Sequence, residues 1–206
     1  MAATATVRAA SVIAGHFGFA AMVKGRERQA PLWALMLASV WLDVVFVPLY
    51  LTGIETVTLA PGTHGTYAAA IIHADYTHSL LGAALLAAIF GWVSAVPWGR
   101  RTGVVLGLVV FSHWVLDLVV HRADLPLLPG NAGHFARLGL GLWRWPAASA
   151  IVELALVAAG AWLYWRAARA VSLTAHRGER LATLTGALVL LGGVTVLALD
   201  VTGVLG

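Results

Sequence analysis

Six long apolar segments, separated by short polar connections, make up most of this 206-residue chain. They cover residues 9–23, 31–51, 67–96, 102–121, 147–165 and 181–201. Only 11% of the residues are charged, against about 25% in soluble domains. Apolar helices of about 20 residues match the thickness of a bilayer. The sequence therefore predicts an all-α fold with one integral membrane domain over residues 1–206, a polytopic bundle of about six transmembrane helices.

The basic residues are distributed unevenly between the two ends of these helices. Nine of them fall in three alternate connections: Lys24, Arg26, Arg28, Arg100, Arg101, Arg166, Arg169, Arg177 and Arg180. Four fall on the other side: Arg8, Arg122, Arg137 and Arg144. Because cytoplasmic loops are enriched in lysine and arginine, we expect three cytoplasmic basic loops and both termini outside. Because membrane topology explains where the basic residues lie, they do not indicate nucleic-acid binding. We therefore expect membrane lipids, and no nucleic acid, as partners.

Three ionisable side chains recur at every fourth residue where the fourth segment ends. On a helix, His113, Asp117 and His121 would share one face. Two imidazoles and a carboxylate suit zinc best, with manganese or iron as alternatives. His113 and His121 are about 12 Å apart along the axis, too far to share one ion. Either His113 and Asp117 hold one metal, or Asp117 bridges two; a polar packing network without metal is the other interpretation.

Other segments place ionisable side chains at a similar depth. Counting about 1.5 Å per residue from each helix end puts them in the outer half of the bilayer or near its middle. They are His16, Asp43, Asp75, His78, His113 and Glu153. Independent structural polar residues would have no reason to agree in depth. The agreement therefore predicts one cluster that opens outward.

Each of these residues has an expected role. Asp43, which stands in an apolar run, and His78 are expected metal ligands. Asp75 precedes His78 by three residues and is expected on the same helix face. His16 is a ligand or a hydrogen-bond donor to one. Glu153 is a ligand, a general base or the ion-pair partner of an outer arginine.

Several other chemistries lack their sequence signatures. The chain has no cysteine, which excludes disulfides and thiolate metal ligands. It has no Gly-x-Ser-x-Gly motif, so an intramembrane serine hydrolase is not expected. Glycine-rich phosphate loops and dinucleotide fingerprints are also missing.

Several of these elements together resemble the YdjM-like family of bacterial inner-membrane proteins, which are described as metal-dependent hydrolases. The matching motifs are Gly15-His16, Asp43, Asp75-Tyr76-Thr77-His78-Ser79-Leu80, Ser112-His113-Trp114-Val115-Leu116-Asp117 and Val119-Val120-His121-Arg122-Ala123-Asp124-Leu125-Pro126-Leu127. The likeness spans roughly residues 15–165. It implies a helical His/Asp metal cluster akin to zinc phospholipase C and S1/P1-type nucleases. Other members often have an arginine where this chain has Ala74, so the resemblance does not carry His73 over as a ligand.

The expected function is a metal-dependent membrane hydrolase that faces the periplasm or exterior and acts on a phosphoester or lipid-type substrate. Arg122, Arg137 and Arg144 are available for phosphate, and residues 122–146 are an expected loop or lid. The alternatives are a transporter or proton/metal-ion pathway using the same cluster, or a non-catalytic structural membrane protein. The expected ligands are Asp43, His78, His113 and Asp117, with His121 and His16 as further candidates. The expected catalytic side chains are Glu153 and Asp75. Glu153 is the expected general base. Asp75, together with His121, is expected to complete a second metal site or to support the first.

Overall fold

A computed structural model describes residues 13–59, 70–174 and 179–202 of the chain. The fold is mostly helical, as predicted, and residues 9–12 of the first apolar segment lie outside the described part. A short 3₁₀ helix, Leu142–Arg144, lies between the fourth and fifth α-helices, after a stretch at Pro129–His134 in which residues 130–133 have non-helical backbone angles. The main elements are α1 (Ala14–Lys24), α2 (Leu32–Ser39), α3 (Trp41–Leu51), β1 (Thr56–Leu59), β2 (Ala70–His73), α4 (Leu80–Val120), α5 (Pro146–Thr174) and α6 (Glu179–Val201).

The longest element, α4, is a hairpin of two antiparallel arms. Its 41 residues would span about 60 Å if straight, twice the hydrocarbon thickness of a bilayer. Gly99 interrupts it with φ 81° and ψ 160°, a conformation essentially confined to glycine. Small residues let the two arms pack closely. A methyl group added to Gly107 would lie only 2.9 Å from the Ala87 carbonyl oxygen, which is too close for a carbon atom. The arms, residues 80–98 and 100–120, correspond to the third and fourth apolar segments.

The beginning of the third apolar segment is not helical. The predicted helix over residues 67–96 is wrong for residues 70–79, because Ala70–His73 forms a strand antiparallel to Thr56–Leu59 and the helix begins at Leu80. Residues 67–69 lie outside the described part. β-Branched residues in both strands favour the extended backbone. Asp75 and His78 consequently lie in a turn and do not share a helix face, contrary to prediction.

The second apolar segment is a pair of helices with a sharp bend. The helices α2 and α3 meet at 49°, and Val40 between them has φ −120° and ψ 16°. The carbonyl group of Ser39 therefore stands at the end of a helix, where its own helix does not supply the usual donor. This break shapes the site described below.

The fifth apolar segment is longer than predicted. Helix α5 continues to Thr174, so Arg166 and Arg169 are helical and not part of a loop. Arginine and alanine are both good helix formers, which explains the extension. Arg169 pairs with Glu179 at the start of α6, with 3.1 Å between Nη2 and Oε1.

Three of the described helices, α4, α5 and α6, are long and apolar enough to cross a membrane, and the bent α2–α3 pair would add a fourth. These helices identify the chain as a membrane protein. The main core lies where α1, α2, α3 and the two arms of α4 meet, and it includes Leu35, Leu42, Leu106 and Val110. Helix α1 also packs along α5.

The basic stretches gather at one end of the bundle. Glu27, just after α1, pairs with Arg101 at the tip of the α4 hairpin, with 3.4 Å between the charged atoms. Lys24 and Arg28 line a cavity of about 610 Å³ that also contacts α5 and α6. The β-ribbon and residues 121–145 lie at the other end. The predicted site residues lie in that other half of the bundle. His16, for example, precedes Lys24 by eight residues, which is about 12 Å along α1.

Candidate metal centre

Side chains from separate parts of the chain converge in the half of the bundle away from the basic residues. All of them except Asp43 have side chains that are at most 6% exposed. They are His16 from α1, Asp43 from α3, His78 from the turn before α4, and His113, Asp117 and His121 from the second arm of α4 and its end. These are the six residues predicted from the sequence as metal ligands. The structure brings them together, and metal binding itself stays a prediction.

Asp117 lies at the centre of the cluster. Its Oδ1 atom is 3.3 Å from Nε2 of His16. Its Oδ2 atom is 3.2 Å from Nε2 of His113 and 3.5 Å from Nε2 of His78. The Nε2 atom of His121 is 3.9 Å from the same oxygen. Four imidazoles therefore surround one buried carboxylate, which explains how an ionisable group is accommodated in a membrane-spanning helix.

Asp43 approaches two of the same rings from α3. Its Oδ1 atom is 3.5 Å from Nε2 of His78 and 3.7 Å from Nε2 of His113. Two groups of three residues offer donor atoms that all lie within 4.8 Å of one another: Asp43, His78 and His113, and His16, His113 and Asp117. The two groups share His113, so the cluster is one continuous polar site.

The bend between α2 and α3 orients His113. The Nδ1 atom of this ring is 2.8 Å from the carbonyl oxygen of Ser39, the last residue of α2. A carbonyl oxygen only accepts hydrogen bonds, so Nδ1 of His113 carries the proton and donates. Nε2 of the neutral ring then presents a lone pair to Asp43 and Asp117.

A buried glutamate orients His78 through a threonine. Oε2 of Glu55 accepts a hydrogen bond from the Thr77 hydroxyl at 2.9 Å, and Oε1 accepts from the backbone N–H groups of Tyr76 and Thr77. Because the Thr77 hydroxyl proton is given to Glu55, its oxygen accepts from Nδ1 of His78 at 2.8 Å. Nε2 of His78 is therefore also the lone-pair atom. The side chain of Glu55 is completely buried, and the sequence interpretation missed it.

Asp124 orients the third imidazole of the α4 arm. Nδ1 of His121 donates to Oδ1 of Asp124 at 3.0 Å, so its Nε2 faces Asp117. The indole of Trp143 packs on the His121 ring with 4.2 Å between centroids. Asp124 therefore supports His121 from just past the end of α4.

These hydrogen bonds leave an electrostatic conflict that a cation resolves. Nε2 of His78 and Nε2 of His113 are 3.3 Å apart, yet in the neutral rings both atoms are acceptors. Both also face carboxylate oxygens, which are acceptors as well. Four converging acceptors repel one another strongly in a buried, low-dielectric site unless a positive charge lies among them, supplied either by protons on the imidazoles or by a metal ion.

The separations between the rings and the carboxylates are those found in metal sites. The five pairs that include a histidine are separated by 3.2 to 3.7 Å among His78, His113, Asp43 and Asp117. Ligand bonds of about 2.0 to 2.2 Å in a tetrahedral zinc site place neighbouring donors about 3.4 Å apart. A histidine ligand whose Nδ1 donates to a carboxylate, carbonyl or hydroxyl is also the usual support around such sites.

His16 lies beside this set of atoms. Its ring stacks on His113 with 4.0 Å between centroids and only 10° between planes. Its Nδ1 atom is buried and finds no hydrogen-bond partner among the described residues. Its Nε2 atom is the one that faces Asp117, so His16 contacts the centre through Oδ1 of that carboxylate.

The two predicted catalytic carboxylates lie in different surroundings. Glu153 of α5 is 2% exposed, and its Oε2 accepts from the backbone N–H of Gly15 at 3.3 Å, next to His16. Asp75 is bound by Arg137 through two hydrogen bonds of 2.6 and 2.9 Å. The hydrogen bonds to this carboxylate raise the pKa of the Arg137 guanidinium above its ordinary value. Asp75 belongs to neither of the two metal-binding groups.

The segment between α4 and α5 packs over the outer end of the cluster. Its backbone binds the end of α4, since the N–H of Gly141 donates to the His121 carbonyl at 2.6 Å. Leu125 and Leu138 form a bridge of two backbone hydrogen bonds. Arg144 donates to the Gly141 and Leu140 carbonyl oxygens. With Arg137 held by Asp75, these two arginines are engaged by the protein, and their predicted role with phosphate stays a prediction.

No protein-family model, curated protein or solved structure matches this chain.

Proposed function

We propose that the chain is a metal-dependent membrane hydrolase related to the YdjM-like family, acting on a phosphoester or lipid-type substrate. The observation that carries this proposal is the orientation of His78, His113 and His121. Each ring has its Nδ1 proton committed to an acceptor, and each turns its Nε2 lone pair toward a carboxylate. This arrangement suits a divalent metal, with zinc as first choice and manganese or iron as alternatives.

Under this proposal, each group has a defined task. Asp43, His78, His113 and Asp117 hold the metal, and His121 and His16 flank it. The metal supplies Lewis-acid activation of water and of a substrate oxygen. Glu153, buried beside His16, is the general base. The apolar surroundings exclude bulk water and strengthen these interactions.

The topology we propose has six spans in a bacterial inner membrane. The two arms of α4 count separately, and α1, the α2–α3 pair, α5 and α6 supply the other four. The clustering of basic residues near Lys24, Arg101 and Arg169 supports a cytoplasmic location for that end. The His/Asp cluster and both termini then lie on the outer side.

Metal content tests this proposal first. The protein is purified in detergent without chelators, and its metal is measured by elemental analysis beside Asp117→Ala and His78→Ala. We expect one or two equivalents of zinc, manganese or iron in the wild type and none in the two variants. The matched control is His73→Ala, which removes an exposed histidine of β2 and should retain the metal.

Hydrolysis is then assayed with the metal-loaded protein on phosphoester and lipid substrates. Glu153→Gln should retain metal and lose turnover. A wild type that carries no metal and cannot be loaded with any would refute the hydrolase proposal and leave the cluster as a proton pathway or a structural network. A protein that binds metal but hydrolyses no substrate class would refute the activity alone.

A further inference from the structure

One member of the His/Asp cluster is accessible from the side of the bundle. The side chain of Asp43 is 35% exposed, whereas His78 and His113, which it contacts, are 4% and 2% exposed. Within the described residues, the buried cluster thus reaches the protein surface at Asp43. The sequence analysis expected the opening to face the exterior.

The surface around Asp43 is an apolar strip along α3. Val47 and Tyr50 follow Asp43 by four and seven residues and lie on the same helix face. Val47 is 50% exposed and Leu51, one turn further, is 76% exposed. The strip runs about 12 Å from Asp43 toward the outer end of the helix. In the topology proposed above, the α2–α3 pair is one span, and this strip then faces lipid chains.

The route from the aqueous exterior is covered. Trp143 packs on His121, and the Gly141 N–H binds the His121 carbonyl. Arg137 ties Asp75 to the carbonyl of Asp124, joining the turn before α4 to the segment after it. His121 and Asp124, directly under this cover, are 4% and 7% exposed.

We infer that the substrate is a long-chain membrane amphiphile that reaches the centre sideways from the bilayer, past Asp43. The hydrocarbon chain of this substrate lies on the apolar strip of α3, residues 43–51, which we call the Asp43 strip. The polar bond that is to be hydrolysed enters beside the Asp43 carboxylate. This inference rests on the proposed function, because hydrolysis of that bond is the activity proposed above. It adds the class of substrate and the direction from which the substrate arrives.

Photocrosslinking in a bilayer tests the route without requiring turnover. The protein is placed in nanodiscs of phosphatidylethanolamine and phosphatidylglycerol, with a small fraction of the phosphatidylethanolamine carrying a diazirine midway along one acyl chain. Crosslinked peptides from the Asp43 strip are compared with those from residues 184–191 of α6. That stretch presents Leu184, Leu188 and Leu191 at the same spacing, each more than 60% exposed.

We expect crosslinking to the Asp43 strip to exceed that to the α6 strip about tenfold, which corresponds to a preference of about 1.4 kcal/mol. Val47→Trp, which obstructs the strip and leaves every member of the cluster unsubstituted, should abolish the excess. Leu188→Trp, the matched change on α6, should leave it intact. Equal labelling of the two strips, or an excess that survives Val47→Trp, would overturn the inference.

The result is separable from the test of the proposed function. Metal binding together with even crosslinking would refute lateral access and leave the metal centre standing. Preferential crosslinking in a protein that binds no metal would refute the proposed function and leave the lipid site standing. Hydrolysis of a water-soluble short-chain ester as fast as of its long-chain counterpart in the disc would also overturn the inference.

Discussion

The Nε2 atoms of His78 and His113 lie 3.3 Å apart, while the Nδ1 atoms of the two rings donate to Thr77 and Ser39. His78 lies in the turn before α4 and His113 in its second arm, and each ring is fixed by a partner outside α4. Such fixed orientation is what a metal site needs, because ligands held in place lose little entropy on binding the ion. The predictions below examine how that orientation is maintained.

Glu55→Gln should weaken metal binding about 10- to 100-fold without removing any ligand. The carboxylate accepts the Thr77 hydroxyl proton, and this leaves the hydroxyl oxygen able to accept from His78. A carboxamide is a weaker acceptor and adds two donor hydrogens, so it disturbs the hydrogen bonds that run from His78 through Thr77 to residue 55. The measurement is a competition titration with a chelator of known affinity. Glu179→Gln, in an exposed pair at the basic end, is the control, and an equal loss there would show a general effect of charge.

Thr77→Val should cause a comparable loss of metal affinity, and Thr77→Ser should restore most of it. Valine matches threonine in shape but leaves Nδ1 of His78 and the Glu55 carboxylate without their shared partner. The combined Glu55→Gln and Thr77→Val variant should lose little more than the worse single variant, because both act through His78. Additive losses would indicate that Glu55 and Thr77 support the site independently.

Sequence alone predicted the six side chains that converge, because depth can be counted along a helix from its constant rise, although His78 lies in a turn where that count does not apply. It could not predict the partners of the Nδ1 atoms. The Ser39 carbonyl is available only because the helix breaks at Val40, and Glu55 lies between segments with no spacing that relates it to His78. The strand Ala70–His73 was missed because a short apolar run has the same composition in a strand and in a buried helix.

Arg137→Ala should loosen the segment that covers the outer end of the cluster while leaving metal content unchanged. Arg137 makes two hydrogen bonds to Asp75 and one to the Asp124 carbonyl, and these join parts of the chain that are distant in sequence. We expect amide hydrogen exchange in residues 124–141 to rise about fivefold, as for a local loss of about 1 kcal/mol.

The control for this variant is Arg144→Ala, whose side chain donates to carbonyl groups three and four residues away and lies over the adjacent Trp145 ring. It should change exchange in its own turn and not around Leu125. Unchanged exchange after Arg137→Ala would mean that the backbone bridge between Leu125 and Leu138 holds the segment without help from the arginine.

Gly99→Ala and Gly192→Ala add the same methyl group and should change stability in opposite directions. No atom lies within 4 Å of the added carbon at either site, so packing does not distinguish them. Gly99 has φ 81° at the hairpin turn, where alanine would be strained by about 1 to 3 kcal/mol. Gly192 is inside α6, where alanine should stabilise the helix by about 0.5 to 1 kcal/mol. Unfolding in mixed micelles by a denaturing detergent measures both changes. If Gly99→Ala leaves stability unchanged, the chain can turn between the two arms of α4 through another backbone conformation. The turn at the basic end would then not depend on glycine.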